Sequence, residues 1–255
     1  MAYNPIFFNA GPGGNPTGIG DLINQCDSAG IPVFIAATDA MTGLYDLQAA
    51  SWRSGVPHQG NYRSTGYYRP GYGRVPAGQE RSGDIHLDVP DYTLPPQEAA
   101  IIHWDAHKAL IPPELDRSVI WISTANECRY TVGWGEYTAV PGFTGWADWM
   151  GCYSYHVALL AMADGYKYTA FGWAAGNPEE GAWEQPWMLK YLELCNTNPD
   201  RVGINLHEYS YSDSAIWTKK APDGSIVPVS VSESGYRLIG RFRDLIDVCN
   251  KYGLS

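Results

Sequence analysis

The chain has 255 residues, and its 17 Lys and Arg against 27 Asp and Glu give a formal net charge of −10. This length is enough to bury a substantial core. Because attraction to phosphate backbones and anionic lipids depends on clustered Lys and Arg, the composition predicts no nucleic-acid and no membrane partner.

Apolar runs and helical patterns alternate along the first part of the chain. Residues 6–10 predict a first strand, and the continuous apolar run 32–37 predicts a second, buried strand. Helical periodicity follows each of them, over 17–29 and 40–52. A third, more polar strand is expected over 58–63.

The same alternation continues after residues 63–91, which are rich in Gly, Pro, Tyr and Arg and predict a long functional loop. The remaining strands are expected at 118–124, 166–173 and 202–206, and the remaining helices at 95–110, 146–163, 183–195 and 238–252. Residues 216–220 and 226–231 flank a turn-rich connection and predict a β-hairpin.

Six strand–helix alternations predict parallel strands joined by right-handed crossovers in a single domain over residues 1–255. An open doubly wound sheet and a closed (β/α)8 barrel both fit this pattern. The glycine fingerprint of a dinucleotide site fails, because Pro16 stands where the third glycine after Gly11 and Gly13 should be. We therefore expect an α/β fold of the (β/α)8 TIM-barrel type, represented by about six units, and no cofactor.

Polar residues follow the predicted strands, at the end where barrel active sites are built. They are Asp39, Arg63, Asn126-Glu127 and His207-Glu208-Tyr209. This placement is the main evidence for a barrel.

Asn126 and Glu127 come directly after the strand 118–124. A strand end holds a carboxylate rigidly, and the adjacent amide of Asn126 is suited to a substrate hydroxyl. Partial burial among Trp121, Tyr130 and Trp134 would raise the pKa of Glu127 and keep it protonated as a general acid. The alternative is a strand-end glutamate that pairs with Arg129 or faces water.

His207 and Tyr209 follow the strand 202–206 and point the same way, whereas Glu208 points oppositely. Side chains of this kind donate hydrogen bonds to a substrate or to a catalytic carboxylate. A histidine satisfied by its neighbours at the strand end is the alternative.

An Asn-Glu pair after the fourth strand and a His-x-Tyr after the sixth resemble the clan A retaining glycoside hydrolases, which are cellulase-like and xylosidase-like (β/α)8 barrels. The resemblance implies that Glu127 is the general acid/base and that His207 and Tyr209 line the cleft beside the nucleophile. It covers most of the chain as architecture but only these short motifs as sequence.

The chain departs from that clan at the nucleophile, a second glutamate at the end of the seventh strand. The predicted helix 238–252 is followed by Gly253-Leu254-Ser255, so we expect the nucleophile beyond Ser255. Glu233 imitates a strand ending in glutamate, but the hairpin assignment and the missing crossover helix count against it. Glu208 fits less well still.

Other candidate sites are weaker. His103 and His107 have the spacing of a zinc pair, but Trp104 stands where H-E-x-x-H requires glutamate, so two helix-surface or core-edge histidines and no metal are expected. Ser154 and Ser210 lack a G-x-S-x-G elbow.

The chain has 18 Tyr and 10 Trp against only 6 Phe. Tyr and Trp each carry a polar group on an apolar ring, which suits the surface of a hydrated, partly apolar cleft. Trp134 and Trp173 follow strands and are candidates for a sugar-stacking floor, with core packing as the rival interpretation. Arg63 is a further candidate contact to substrate.

The five cysteines are odd in number and contain no C-x-x-C pair, so free thiols are expected, as in a reducing compartment such as the cytoplasm. No signal peptide or transmembrane segment is evident in the sequence, and it does not identify a location.

The leading functional hypothesis is a retaining glycosidase acting on an oligosaccharide or glycoside, with Glu127 as acid/base and Asn126, His207, Tyr209 and Arg63 positioning the substrate. The alternative is a non-catalytic carbohydrate-binding or structural barrel that lacks the nucleophile. A third possibility is self-association through the open strand edges of an incomplete barrel.

Overall fold

The computed structural model describes residues 6–12, 18–41, 43–207, 218–229 and 240–254. The strands are β1 Ile6–Pro12, β2 Val33–Thr38, β3 Gln59–Arg63, β4 Tyr67–Arg69, β5 Gly73–Val75, β6 Ile85–His86, β7 Ile120–Ser123, β8 Lys167–Trp173, β9 Val202–Leu206, β10 Thr218–Lys220 and β11 Ile226–Pro228. The helices are α1 Ile19–Ser28, α2 Leu44–Ser54, α3 Pro96–Lys108, α4 Trp146–Ala163, α5 Pro186–Thr197 and α6 Phe242–Tyr252, with a 3-10 helix at Ala182–Glu184.

The main sheet has the strand order β1-β2-β3-β7-β8-β9. From β1 to β8 every neighbouring pair is parallel. The register sets Arg63 opposite Thr38 on one side and Ser123 on the other, and sets Ser123 opposite Thr169. The α/β class with a parallel sheet is confirmed, whereas closure into a (β/α)8 barrel stays a prediction.

The chain falls into two compact units, each built from several separate stretches of sequence. The first unit comprises residues 1–91, 102–124 and 158–169, and the second comprises 92–101, 125–157 and 170–255. The single domain expected over residues 1–255 stays a prediction.

The core of the first unit lies between β2 and the helices that follow it. Val33 and Ile35 of β2 and Leu44 and Leu47 of α2 are fully buried. A Cβ added at Gly60 in β3 would lie 2.7 Å from Leu44 Cδ2 and 2.9 Å from Ile120 Cδ1. The absence of a side chain at this position lets α2 pack directly on the sheet.

The long functional loop predicted over 63–91 is not irregular throughout, because this segment contains a small antiparallel sheet with the order β5-β4-β6. Arg69 on β4 donates hydrogen bonds to both carboxylate oxygens of Asp84, each at 2.7 Å. Strands of two or three residues are too short to show an alternating pattern, so the sequence reads as a loop.

The second unit has an aromatic core. Trp149, Trp173 and Trp183 have no exposed surface, and the ring of Trp149 stacks on Tyr153 at a centroid distance of 5.7 Å. Gly151 lies between these two residues in the sequence of α4, and a Cβ added to it would be 2.6 Å from the backbone nitrogen of Met188. The helices α4 and α5 therefore approach each other at backbone distance.

The hairpin expected after β9 is present. β10 and β11 pair in antiparallel fashion, with Thr218 opposite Pro228 and Lys220 opposite Ile226. Asp223 accepts hydrogen bonds from the backbone and side chain of Ser225 and shapes the turn. The predicted helix 238–252 begins later in the structure, where α6 spans Phe242–Tyr252, and residues 238–239 lie outside the described ranges.

Candidate functional site

Backbone hydrogen bonds within the second unit join the segments that follow β7 and β9 to the end of β8. The backbone N–H of Glu127, beyond β7, donates to the carbonyl oxygen of Gly172 in β8 at 2.7 Å. The N–H of His207, beyond β9, donates to the carbonyl oxygen of Trp173 at 3.0 Å. The structure therefore brings Glu127, Trp173 and His207 to the carboxyl ends of neighbouring strands.

The backbone around the first of these bonds is strained. Glu127 has a φ of 52° and Phe171 a φ of 79°, a left-handed region that costs a side-chain-bearing residue about 1–2 kcal/mol. Gly172 has a φ of 54°, and a Cβ there would lie 2.6 Å from the carbonyl oxygen of Ala125. Strain of this kind persists only where surrounding structure fixes it, and it clusters at functional sites.

The Glu127 side chain is exposed, so the partial burial expected from its aromatic sequence neighbours is wrong. Aromatic residues that are near in sequence do not enclose it. Within the described residues Glu127 makes no ion pair with Arg129, whose guanidinium packs against aromatic rings instead. Its carboxylate is accessible to a ligand or to water.

The other predicted site residues are distributed as follows. Asn126 and His207 are half-buried in the second unit, and Arg63 is half-buried at the end of β3 in the first. Tyr209 lies outside the described residues, as do Ser210 and both alternative nucleophiles, Glu208 and Glu233.

Asp39, which follows β2, is engaged in holding the neighbouring loop. Its N–H donates to the carbonyl oxygen of Arg63 at 2.9 Å. Its carboxylate accepts a hydrogen bond from the backbone of Thr65 at 2.9 Å and pairs with Arg74 at 2.6 Å. These bonds tie β4 and β5 to the ends of β2 and β3.

Trp173 and Trp134, the two candidates for a sugar-stacking floor, differ in exposure. Trp173 is fully buried, with its ring stacked on Phe171 at 4.3 Å and packed edge-on to Trp183 at 5.1 Å. Trp173 therefore packs in the core, as the alternative interpretation predicted, and its ring is not exposed for stacking on a sugar. Trp134 is half-buried and contacts Trp146 edge-on at 4.7 Å.

The second unit contains a cleft of about 590 Å³, and one of its lining residues, Arg129, comes two residues after Glu127 in the sequence. We call it the Arg129 cleft. It is lined by Tyr92, Arg129, Tyr137 and Trp146 together with segments 93–95 and 138–141.

Aromatic rings surround the Arg129 guanidinium. Its central carbon lies 3.8 Å from the ring centroid of Tyr137, 4.4 Å from that of Trp146 and 4.7 Å from that of Tyr92. The N–H of Arg129 donates to the Tyr92 hydroxyl at 3.1 Å, and burial holds the pKa of that phenol well above its usual value. In the sequence Arg129 is notable only as a partner for Glu127. The sequence feature that indicates this cleft is a single arginine in a segment rich in aromatic residues, namely Tyr130, Trp134, Tyr137 and Trp146.

His103 and His107 are buried in the first unit, not at a helix surface or core edge as expected. Burial lowers the pKa of His107 to about 4 and that of His103 well below its usual value. His107 Nε2 is 2.9 Å from the carbonyl oxygen of Leu87. No group of three or more His, Cys, Asp or Glu residues suited to a metal ion occurs in the described part of the chain.

None of the five cysteines forms a disulfide bond, so the prediction of reduced thiols is confirmed. Burial raises the pKa of Cys152 and of Cys195 to about 12 in each case, so neither thiol is a ready nucleophile.

Comparison of the chain with protein-family models, with curated proteins and with solved structures finds no match. None of the helices in the described ranges combines the length and apolar character needed to cross a membrane.

Proposed function

We propose that this chain is a carbohydrate-active protein of the (β/α)8 barrel type, acting as a retaining glycoside hydrolase with Glu127 as the general acid/base. The observation that carries the proposal is the hydrogen-bonded join between the ends of β7 and β8. There the exposed Glu127 has a left-handed backbone conformation. Its backbone N–H donates a hydrogen bond of 2.7 Å to the carbonyl oxygen of Gly172.

The strand order supports the barrel part of the proposal. An open doubly wound sheet reverses its strand order at a switch point. Here the main sheet runs β1-β2-β3-β7-β8-β9, each strand beside its predecessor in the sheet, which is the succession a (β/α)8 barrel requires.

In this mechanism the second carboxylate attacks the anomeric carbon while Glu127 gives its proton to the departing glycosidic oxygen, which leaves a covalent glycosyl-enzyme. Glu127 then takes a proton from the water that attacks this intermediate, and that step releases the sugar and frees the second carboxylate. Asn126, one residue before it, is the residue that we assign to holding a sugar hydroxyl. His207, on the next strand end but one, and Tyr209 orient the sugar or the second carboxylate. A retaining mechanism places that nucleophile about 5–5.5 Å from the acid/base.

The test is hydrolysis of a panel of aryl glycosides with nitrophenol leaving groups. General acid/base catalysis contributes about 10²–10⁴-fold, so Glu127→Gln should lower kcat/KM by that factor. Glu136→Gln removes another exposed carboxylate from the same unit and should leave turnover unchanged. Equal activity of Glu127→Gln and the wild type would contradict the assignment.

The second candidate is a non-catalytic carbohydrate-binding protein. The Arg129 cleft favours it, because its exposed Tyr137 and the neighbouring rings offer a binding surface that contains no carboxylate among its described lining residues. Oligosaccharide binding by calorimetry without hydrolysis on prolonged incubation would support this candidate over the enzyme. Absence of both would exclude the two together.

A further inference from the structure

The charge of the described lining of the Arg129 cleft comes from one residue. Of the described residues that line it, Arg129 alone is charged, and the remainder are aromatic, apolar or hydroxyl-bearing. The hydroxyl of Tyr92 stays neutral, because burial raises its pKa well above the usual value. A lone cation in the cleft of a chain with a net charge of −10 attracts an anionic ligand.

The rings around Arg129 determine how an anion can approach. The guanidinium carbon lies within 4.7 Å of the ring centroids of Tyr92, Tyr137 and Trp146, so these rings pack around the guanidinium. The in-plane N–H groups of the guanidinium donate to no carboxylate within the described residues, so they are the groups that would donate to a ligand. A planar fork of donors matches a planar carboxylate in two parallel hydrogen bonds.

The residues that line the cleft indicate which kind of molecule bears the carboxylate. Tyr137 is 55% exposed and offers a ring face at the mouth, and Thr93 and Thr138 add hydroxyl groups beside it. A pyranose ring, with apolar C–H faces and hydroxyl edges, fits such a lining better than a compact inorganic anion. Phosphate sites more often combine several cations or the backbone N–H groups of a helix N-terminus.

We propose that the Arg129 cleft binds a uronic acid residue of an acidic oligosaccharide, with the carboxylate on the Arg129 guanidinium and the sugar ring against Tyr137. The choice of a sugar rests on the proposed function, whereas the requirement for a carboxylate rests on the cleft alone. The ligand class would then be an acidic polysaccharide.

The test is calorimetric titration of Glu127→Gln, which prevents turnover, with a galacturonate trimer and with its methyl ester. The ester keeps the sugar and linkage and removes the charge. Because a charge-assisted bidentate pair is worth at least about a factor of ten in affinity, the acid should bind at least tenfold more tightly than the ester. Its binding should also weaken as salt is raised.

Variants locate the site. Arg129→Met keeps an unbranched apolar stem but removes the guanidinium, and it should reduce acid binding to the level of the ester. Arg129→Lys, which keeps the charge but not the fork, should fall between. Lys190→Met is the matched control, since Lys190 also lies on a ring, 3.9 Å from the centre of Trp187, but does not line the cleft. It should bind like its parent.

Equal binding of acid and ester, or acid binding that survives Arg129→Met, would overturn the proposal. So would competition by benzoate or inorganic phosphate as effective as that by galacturonate. The comparison of acid with ester needs no Arg129 variant, so it stands even where that substitution disturbs folding. Since it measures binding and not turnover, it also gives a result whether or not Glu127 is catalytic.

Discussion

The backbone N–H of Glu127 donates a hydrogen bond of 2.7 Å to the carbonyl oxygen of Gly172. This bond holds the segment that leaves β7 against the end of β8, and it spans two left-handed positions. The conformation of the proposed acid/base residue therefore depends on a glycine that is far away in sequence.

Gly172→Ala should be strongly destabilising. The substitution adds a left-handed alanine, which costs about 1–2 kcal/mol, and a Cβ 2.6 Å from the carbonyl oxygen of Ala125, a clash of about 1–3 kcal/mol. We expect the free energy of unfolding, measured in urea by far-UV circular dichroism, to fall by about 2–5 kcal/mol.

Gly135→Ala is the control for that substitution. Its φ of 61° is similar, but an added Cβ meets nothing within 4 Å. It should cost only about 1–2 kcal/mol. If the two variants prove equally stable, the close approach at Gly172 does not exist in solution.

Much of the fold was predictable because its pattern is local. The helix 146–163 and the strand 202–206 have the same bounds in the sequence interpretation and in the structure, since continuous apolar runs and helical spacing identify them. Pairing of β4 with β5 and β6 was not predictable, because those short strands are specified by the Asp39 and Arg69 contacts and not by a periodic pattern.

The candidate site was predictable only as far as position follows from strand order. That Glu127 and His207 follow two strands of one sheet, with a single strand between them, follows from the alternation of strands and helices. The exposure of Glu127 and the aromatic surroundings of Arg129 depend instead on tertiary contacts between residues that are far apart in the sequence. Sequence proximity to Trp121 and Tyr130 carries no such information.

Acid should destabilise the first unit through His107. Its pKa is about 4 in the folded chain, because of burial and then of the positive charges of Arg63 and Arg74, against about 6.5 when unfolded. Between these values the unfolded chain binds a proton that the folded chain does not, so stability falls as pH drops from about 6.5 to about 4. The lowered pKa of His103 acts in the same direction.

The measurement is the free energy of unfolding at pH 7 and pH 4.5 for the wild type and for His107→Gln. The difference between the two pH values should be smaller in the variant by about 2–3 kcal/mol. Titration of other groups cancels in this comparison where they do not couple to His107. An unchanged difference would show that His107 is not buried as a neutral group.

Gly151→Ala in α4 sets helix propensity against packing. Alanine gains about 1 kcal/mol over glycine in a helix. Its Cβ, however, would lie 2.6 Å from the backbone nitrogen of Met188 and the backbone carbon of Trp187, which no side-chain rotation relieves. We expect packing to prevail, with a net loss of about 1–2 kcal/mol in the free energy of unfolding.

Ser154→Ala in the same helix provides the contrast. Ser154 is fully buried, and its hydroxyl has no hydrogen-bond partner in the part of the chain that the structure describes. Removing it should raise stability by about 1 kcal/mol. A stabilising Gly151→Ala would mean that α4 and α5 are farther apart than the structure has them.

The distribution of indole rings gives the chain an intrinsic optical reporter. Trp134, Trp146, Trp149, Trp173, Trp183 and Trp187 all belong to the second unit, whereas Trp52, Trp104 and Trp121 belong to the first. Tryptophan emission is therefore weighted toward the aromatic core beside Glu127, while peptide absorption reports the helices of both units. Unfolding curves that superimpose in the two signals would mark a single cooperative transition, and curves that separate would show which unit opens first.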